Sequence, residues 1–135
     1  KTAEELGISV PDEYIKEAAY RSTKEAGEAT KALLELKNPP SCILYPDDFS
    51  CFGGMNVIRE KALRIPEDVS VAGYDGLRIG RHIEPKLTTL RQGTDAIGEE
   101  AAKKLIELIE KPKTTIIEQI VIGGEVYEGK TGRKL

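Results

Sequence analysis

Short runs rich in β-branched residues alternate along this chain with longer amphipathic stretches, and that alternation limits the fold more than any other feature. Residues 42–45, 69–73, 87–91 and 114–122 read as strands. The stretches over 22–36, 48–62 and 94–110 carry apolar residues at helical spacing. Such a succession predicts an α/β chain with a mostly parallel sheet flanked by helices. At 135 residues there is room for a single core.

Local signals place the elements. Residues 1–7 read as the tail of a helix closed by Gly7, so the helix is expected to begin upstream of this chain. Residues 14–20 form a modest strand. Ser22 and Glu25 have capping-box spacing, with Ala26, Ala29, Leu33 and Leu36 as the buried stripe behind them. Asn38-Pro39-Pro40 stops that helix. After the strand at 42–45, an aspartate is placed to cap a helix whose buried stripe is Phe52, Met55, Ile58 and Ala62. The helix over 94–110 presents Ile97, Ala101, Leu105 and Leu108 on one face and ends at Lys111-Pro112. Gly123-Gly124 interrupts the last strand, which 125–128 can continue.

Charge and composition remove several function classes. Twenty basic residues against 23 acidic ones give a net charge of −3, which argues against this segment itself gripping nucleic acid. No apolar run approaches the roughly 18–20 residues of a membrane span, and no signal-peptide pattern opens the chain. Cys42 and Cys51 match no zinc or redox spacing and read as small buried thiols of a reducing, cytoplasmic compartment.

In open parallel sheets, ligands bind beyond the carboxyl ends of the strands. Those ends carry Tyr20-Arg21-Ser22, Asp47-Asp48, Asp75 and Gln92, all polar and drawn from four strands. Carboxylates and an amide gathered on one edge suit a hydroxyl-rich ligand. Some also have a purely local reading: Asp47 or Asp48 caps a helix, and Ser22 is accounted for by its capping box.

Other motifs carry less. The stretch from Gly124 to Thr131 spells a Walker A pattern, but a P-loop needs a helix directly after its Lys-Thr, and only four residues follow. His82 is the only histidine, with no Gly-x-Ser-x-Gly elbow to serve. Asp47, Asp48 and Asp75 lack the interleaved glycine loop of a cation site, so no metal and no cofactor is expected. A glycosidase pair would need one carboxyl group with a raised pKa.

Three blocks carry a resemblance: 42–48 (CILYPDD), 65–75 (IPEDVSVAGYD) and 84–92 (EPKLTTLRQ). Together they resemble the effector-binding domain of the lactose-repressor/galactose-repressor family, bacterial transcription regulators with a fold like that of periplasmic sugar-binding proteins. The likeness runs over nearly the whole chain. It implies a ligand-binding role for Asp75, Asp47, Asp48, Gln92, Tyr20, Arg21 and Ser22. Asp75 matches an aspartate that bonds effector hydroxyls, and Asp47-Asp48 stands where relatives have Asn-Asp. An ionised aspartate only accepts hydrogen bonds, so the ligand should present a donor at Asp47. Ser22 replaces an aromatic residue that stacks on the ligand, a task open to Tyr20 or Phe49. Gln92 matches a residue near the hinge. Ala62 stands where relatives place a C-cap glycine, and a left-handed backbone there would cost alanine roughly 1 kcal/mol.

The same resemblance implies an organisation and partners. Residues 1–92 would form the C-terminal lobe of a two-lobe domain, 93–122 a helix and strand belonging to the other lobe, and 123–135 the closing segment of the first. The family's effector-clamping arginine and its DNA-binding module would lie outside this chain. A homodimer contact would involve Phe52, Met55, His82 and Ile83, with ordinary core as the alternative for Phe52 and Met55. The function implied is the sensing and dimerising part of a regulator, binding a small polar effector, a sugar or sugar derivative. A transport-type sugar-binding protein is the second reading and an enzyme built on the three aspartates the third.

Overall fold

Four strands lie side by side in the order β1 (Cys42–Leu44), β2 (Ser70–Asp75), β3 (Thr89–Arg91) and β4 (Glu125–Tyr127). β1 pairs parallel with β2, Cys42 opposite Ser70, and β2 pairs parallel with β3, Asp75 opposite Arg91. β4 runs antiparallel to β3, with Arg91 opposite Glu125. This computed structural model describes residues 2–133. Lys1, the start of the sequence-predicted helix tail, and residues 134–135 of the closing segment lie outside them.

The helices are α1 (Thr2–Glu5), α2 (Thr23–Leu34), α3 (Asp48–Glu60) and α4 (Thr94–Glu110). α1 ends as expected: Gly7 takes φ +71° and its N–H bonds to the Glu4 carbonyl at 2.9 Å. At the start of α2, Ser22 Oγ accepts from the Glu25 N–H at 3.2 Å. The returning half of the capping box is redirected, because Glu25 Oε2 takes the Ala19 N–H instead, at 2.8 Å. α3 closes in a Schellman turn. Leu63 N–H reaches Ile58 O, Ala62 N–H reaches Arg59 O, and Ala62 itself sits at φ +56°.

The core lies between the sheet and the α2–α3 pair. Met55, Ile58, Val71 and Leu87 are essentially without exposure, and burying each side chain is worth roughly 1.5–3 kcal/mol before entropy. Leu33, Ile43, Tyr45, Cys51 and Val69 complete the cluster. Thr30 Oγ1 and the Tyr45 hydroxyl meet at 2.7 Å, so the phenol keeps a partner inside it. α2 and α3 approach closely because Gly53 faces the α2 N-terminus. A β-carbon there would land on the Thr23 carbonyl.

Two expected strands are not formed. Residues 15–20 run as exposed irregular chain after a 3-10 turn over Asp12–Tyr14. Lys16-Glu17-Ala18-Ala19 offers little side chain for a pleated surface to bury, and a groove separates it from the outer edge of β1. Residues 114–122 have strong strand propensity but no strand beside them. Ile116, Ile117 and Val121 stay exposed, and pairing begins only at Glu125. Along α4 no residue is buried, and its Ile97, Leu105 and Leu108 remain exposed. Of the two cysteines, Cys51 is buried as expected, whereas Cys42 is exposed on the edge strand.

Candidate functional site

Parallel pairing brings the carboxyl ends of β1, β2 and β3 to one edge of the sheet. What the residues there do differs sharply between neighbours.

Asp47 and Asp48 turn inward. Asp47 is the N-cap of α3: its Oδ1 accepts the Ser50 N–H at 2.9 Å, and its Oδ2 accepts the Ser50 hydroxyl at 2.7 Å and the Arg21 N–H at 3.0 Å. Burial pushes its carboxyl up, but the bonds from Ser50 and Arg21 outweigh it and hold the group below the usual range. Asp48 Oδ1 accepts the Thr89 hydroxyl at 2.6 Å and Oδ2 the Leu77 N–H at 2.7 Å, which pins the turn after β2 to β3. Here burial prevails over those bonds and raises the carboxyl. Gly73 on β2 makes room for it, since a β-carbon would strike Asp48 Oδ1. Neither aspartate has any solvent exposure.

Asp75 and Gln92 turn outward. Asp75 ends β2 with φ +114°, a conformation that L residues rarely hold and that clusters at functional sites. Gln92, one residue beyond β3, donates from Nε2 to Asp75 Oδ1 at 2.8 Å. Both open onto a cleft of about 660 Å³, the size of a small-molecule site. Tyr20 and Arg21 form part of its wall, and Arg78, Arg81, His82, Arg91 and the start of α4 also line it. Arg21 lies over the Phe49 ring at 4.6 Å and Arg81 over the Tyr127 ring at 4.8 Å. Ser22, Asp47 and Asp48 do not line this cleft.

Of the four residues expected at a subunit contact, Met55 is corrected. It is 1% exposed within this chain, so it has no surface to give a partner and belongs to the core. Phe52 is half-buried, edge-on to the Phe49 ring at 6.3 Å between centroids. His82 is exposed and Ile83 half-buried against the core.

Sequence reasoning missed the threonines. Thr131, fully buried, donates to the Val71 carbonyl and accepts the Thr88 N–H, each at 2.8 Å, knitting the closing segment between β2 and β3. The Lys-Thr of the Walker-like stretch thus lies beyond β4, tied by Thr131 to Val71 of β2 and to Thr88 just before β3. Hydroxyl partners 43 and 60 residues away leave no local signal in a sequence. Among the described residues no group of carboxylates, imidazole or thiols is placed to hold a metal ion, and no helix is long and apolar enough to cross a membrane.

Comparison with known proteins agrees with this architecture. A family model for the periplasmic binding protein-like domain matches residues 1–131. The probable HTH-type transcriptional repressor ExuR of Bacillus subtilis is 36% identical over 79% of this chain, covering 32% of its own length. The HTH-type transcriptional repressor PurR of Salmonella paratyphi B is 36% identical over 81% of this chain and again 32% of its own. The chain thus spans about a third of the curated relatives it matches. Among solved structures, a LacI family transcriptional regulator from Enterococcus faecium with bound ribose superposes with a TM-score of 0.76. It is 27% identical, over 84% of this chain and 41% of that one.

Proposed function

The chain belongs to the periplasmic binding protein-like domain family, in the form of a LacI-type effector-binding domain, and on that premise we propose that its cleft senses a small polar effector of a transcription regulator. A sugar or sugar derivative is the ligand class. The observation that carries this reading is the Asp75–Gln92 pair, hydrogen-bonded at 2.8 Å and facing the cleft from two adjacent parallel strands. A carboxylate with acceptor capacity left over, beside an amide, is suited to ligand hydroxyls. The ribose bound to the Enterococcus relative supports the same class.

Around this site we assign supporting roles. Asp47, Asp48 and Ser22 shape the cleft floor from behind it, by fixing the loop at Arg21 and the turn at Leu77. Residues 1–92 and 123–135 act as one lobe, and the bare apolar stripe of α4 supports placing 93–122 against a second. Closure of two lobes on the ligand would bias how a homodimer presents DNA-binding heads located elsewhere, with Phe52, His82 and Ile83 near the subunit contact. The role is regulatory rather than enzymatic and its setting the cytoplasm, in keeping with relatives that are repressors. Thermal-shift titration of the intact regulator with pentoses and hexoses tests the reading. A hit should raise Tm of the parent chain and lose that effect in Asp75→Ala. Equal stabilisation of both chains overturns the placement of Asp75.

A further inference from the structure

One wall of the cleft is a short turn that depends on its neighbours for its position. Leu77, Arg78, Arg81 and His82 line the cavity from the 3-10 turn over Arg78–Arg81 and its two flanks. Hydrogen bonds in such a turn are poorly aligned, so little of its rigidity is its own. Asp48 holds its start, taking the Leu77 N–H at 2.7 Å. Leu87 holds its middle, donating its N–H to the Gly80 carbonyl at 2.8 Å. Both anchors act on the backbone, and neither bonds Arg81, where the turn ends.

Arg81 is held from β4 instead. Its guanidinium carbon lies 4.8 Å from the centre of the Tyr127 ring, within the range of a cation–π contact. Tyr127 stands opposite Thr89 of β3, whose hydroxyl binds Asp48, so both ends of the turn are referred to the same pair of strands. Beyond Tyr127 the chain is fastened to the stretch that follows the turn. The Gly129 N–H donates to Thr88 Oγ1 at 3.1 Å, and the Lys130 N–H to the Lys86 carbonyl at 2.6 Å. Upstream, β4 begins directly after Gly123-Gly124, where the segment 93–122 returns to the sheet.

We propose that Tyr127 is a positioning residue of the cleft: its ring holds Arg81, and the return strand β4 thereby fixes where the end of the 78–81 turn stands. A displacement of the segment 93–122 then reaches the cleft wall through one ring and one guanidinium. This rests on the cleft being the effector site, and it names how that site is coupled to the part of the chain assigned to the other lobe.

The test is hydrogen–deuterium exchange of the intact regulator without ligand, read by mass spectrometry on peptides over residues 77–83 and over α3. Tyr127→Leu should speed exchange over 77–83 by about two- to fivefold, the worth of one partly exposed cation–π contact, and leave α3 as it was. Tyr127→Phe keeps the ring and should exchange like the parent. Arg81→Gln should match Tyr127→Leu, and the two together should be no faster than either alone. Arg81 is only half-buried, so its variant carries the test should Tyr127→Leu fail to fold. Unchanged rates over 77–83 overturn the assignment, as does a Tyr127→Phe variant as fast as Tyr127→Leu. So do accelerations that multiply in the double variant, or that reach α3 equally and so mark a general loss of stability. No ligand enters the experiment, so each of these outcomes leaves the effector reading to be decided by the titration with pentoses and hexoses.

Discussion

Gln92 holds Asp75: the amide Nε2 lies 2.8 Å from Oδ1, fixing a carboxylate whose own backbone sits at φ +114°. On the proposed function, the second carboxylate oxygen is the one that meets the effector. Preorganising an acceptor in this way reduces the ordering cost on binding. Gln92→Ala should therefore weaken ligand binding about fivefold or more, while stability falls by no more than about 1 kcal/mol, the net worth of one hydrogen bond. Calorimetric titration alongside urea unfolding separates the two effects.

Asp47 holds α3 and the loop at Arg21 through three hydrogen bonds. Asp47→Ala removes the N-cap and strands the Arg21 N–H, so it should destabilise by about 2 kcal/mol or more. Chemical denaturation measures this, and ligand affinity should fall with it if Arg21 shifts.

The buried and paired carboxylates act on acid stability with opposite signs. Asp47, held low by Ser50 and Arg21, and Asp68, held low by the Arg64 side chain, contribute stability that is fully present above their unfolded value of 3.8. That stability is lost as pH falls through the folded values. Asp48 is raised by burial, so the folded chain holds its proton longer than the unfolded one. Its contribution falls as pH rises from 3.8 through the folded value. Urea unfolding across pH 2–6 should show a shallower acid slope for Asp68→Asn and a steeper rise of stability with pH for Asp48→Asn.

Ala62 occupies a left-handed position that the C-terminal turn of α3 requires. Relieving a methyl group there outweighs the extra freedom that glycine gives the unfolded chain. Ala62→Gly should stabilise the chain by about 0.5–1 kcal/mol, read from the urea midpoint at constant m-value.

The mostly parallel sheet and the helices could be read from the residues, though not the order of the strands, because β-branched runs, caps and breakers act within a few positions. Ser22 and an aspartate at 47 or 48 are legible as caps for that reason, whereas the turn at Ala62 came from the resemblance. Residues 15–20 and 114–122 show the boundary of such reading, since a strand exists only with a neighbour and composition cannot supply one. The site was legible as a shared edge and not residue by residue. Asp48 and Asp75 are equally polar in the sequence, yet one is sealed by Thr89 and Leu77 while the other faces solvent. The arginines of the cleft were passed over, apart from Arg21. Arg78 and Arg81 fall in a 3-10 turn whose approach to the site depends on the tether from Asp48 to Leu77.

The missing side chain at Gly53 ties the two helices into one mechanical unit. With the Thr23 carbonyl where a methyl group would go, any larger residue at 53 must push the start of α2 away. That displacement runs through Ser22 to Arg21, which Asp47 anchors from the other helix. Drift at a position well inside the scaffold would thus be felt as altered ligand choice at the rim, and substitutions there should survive only in company.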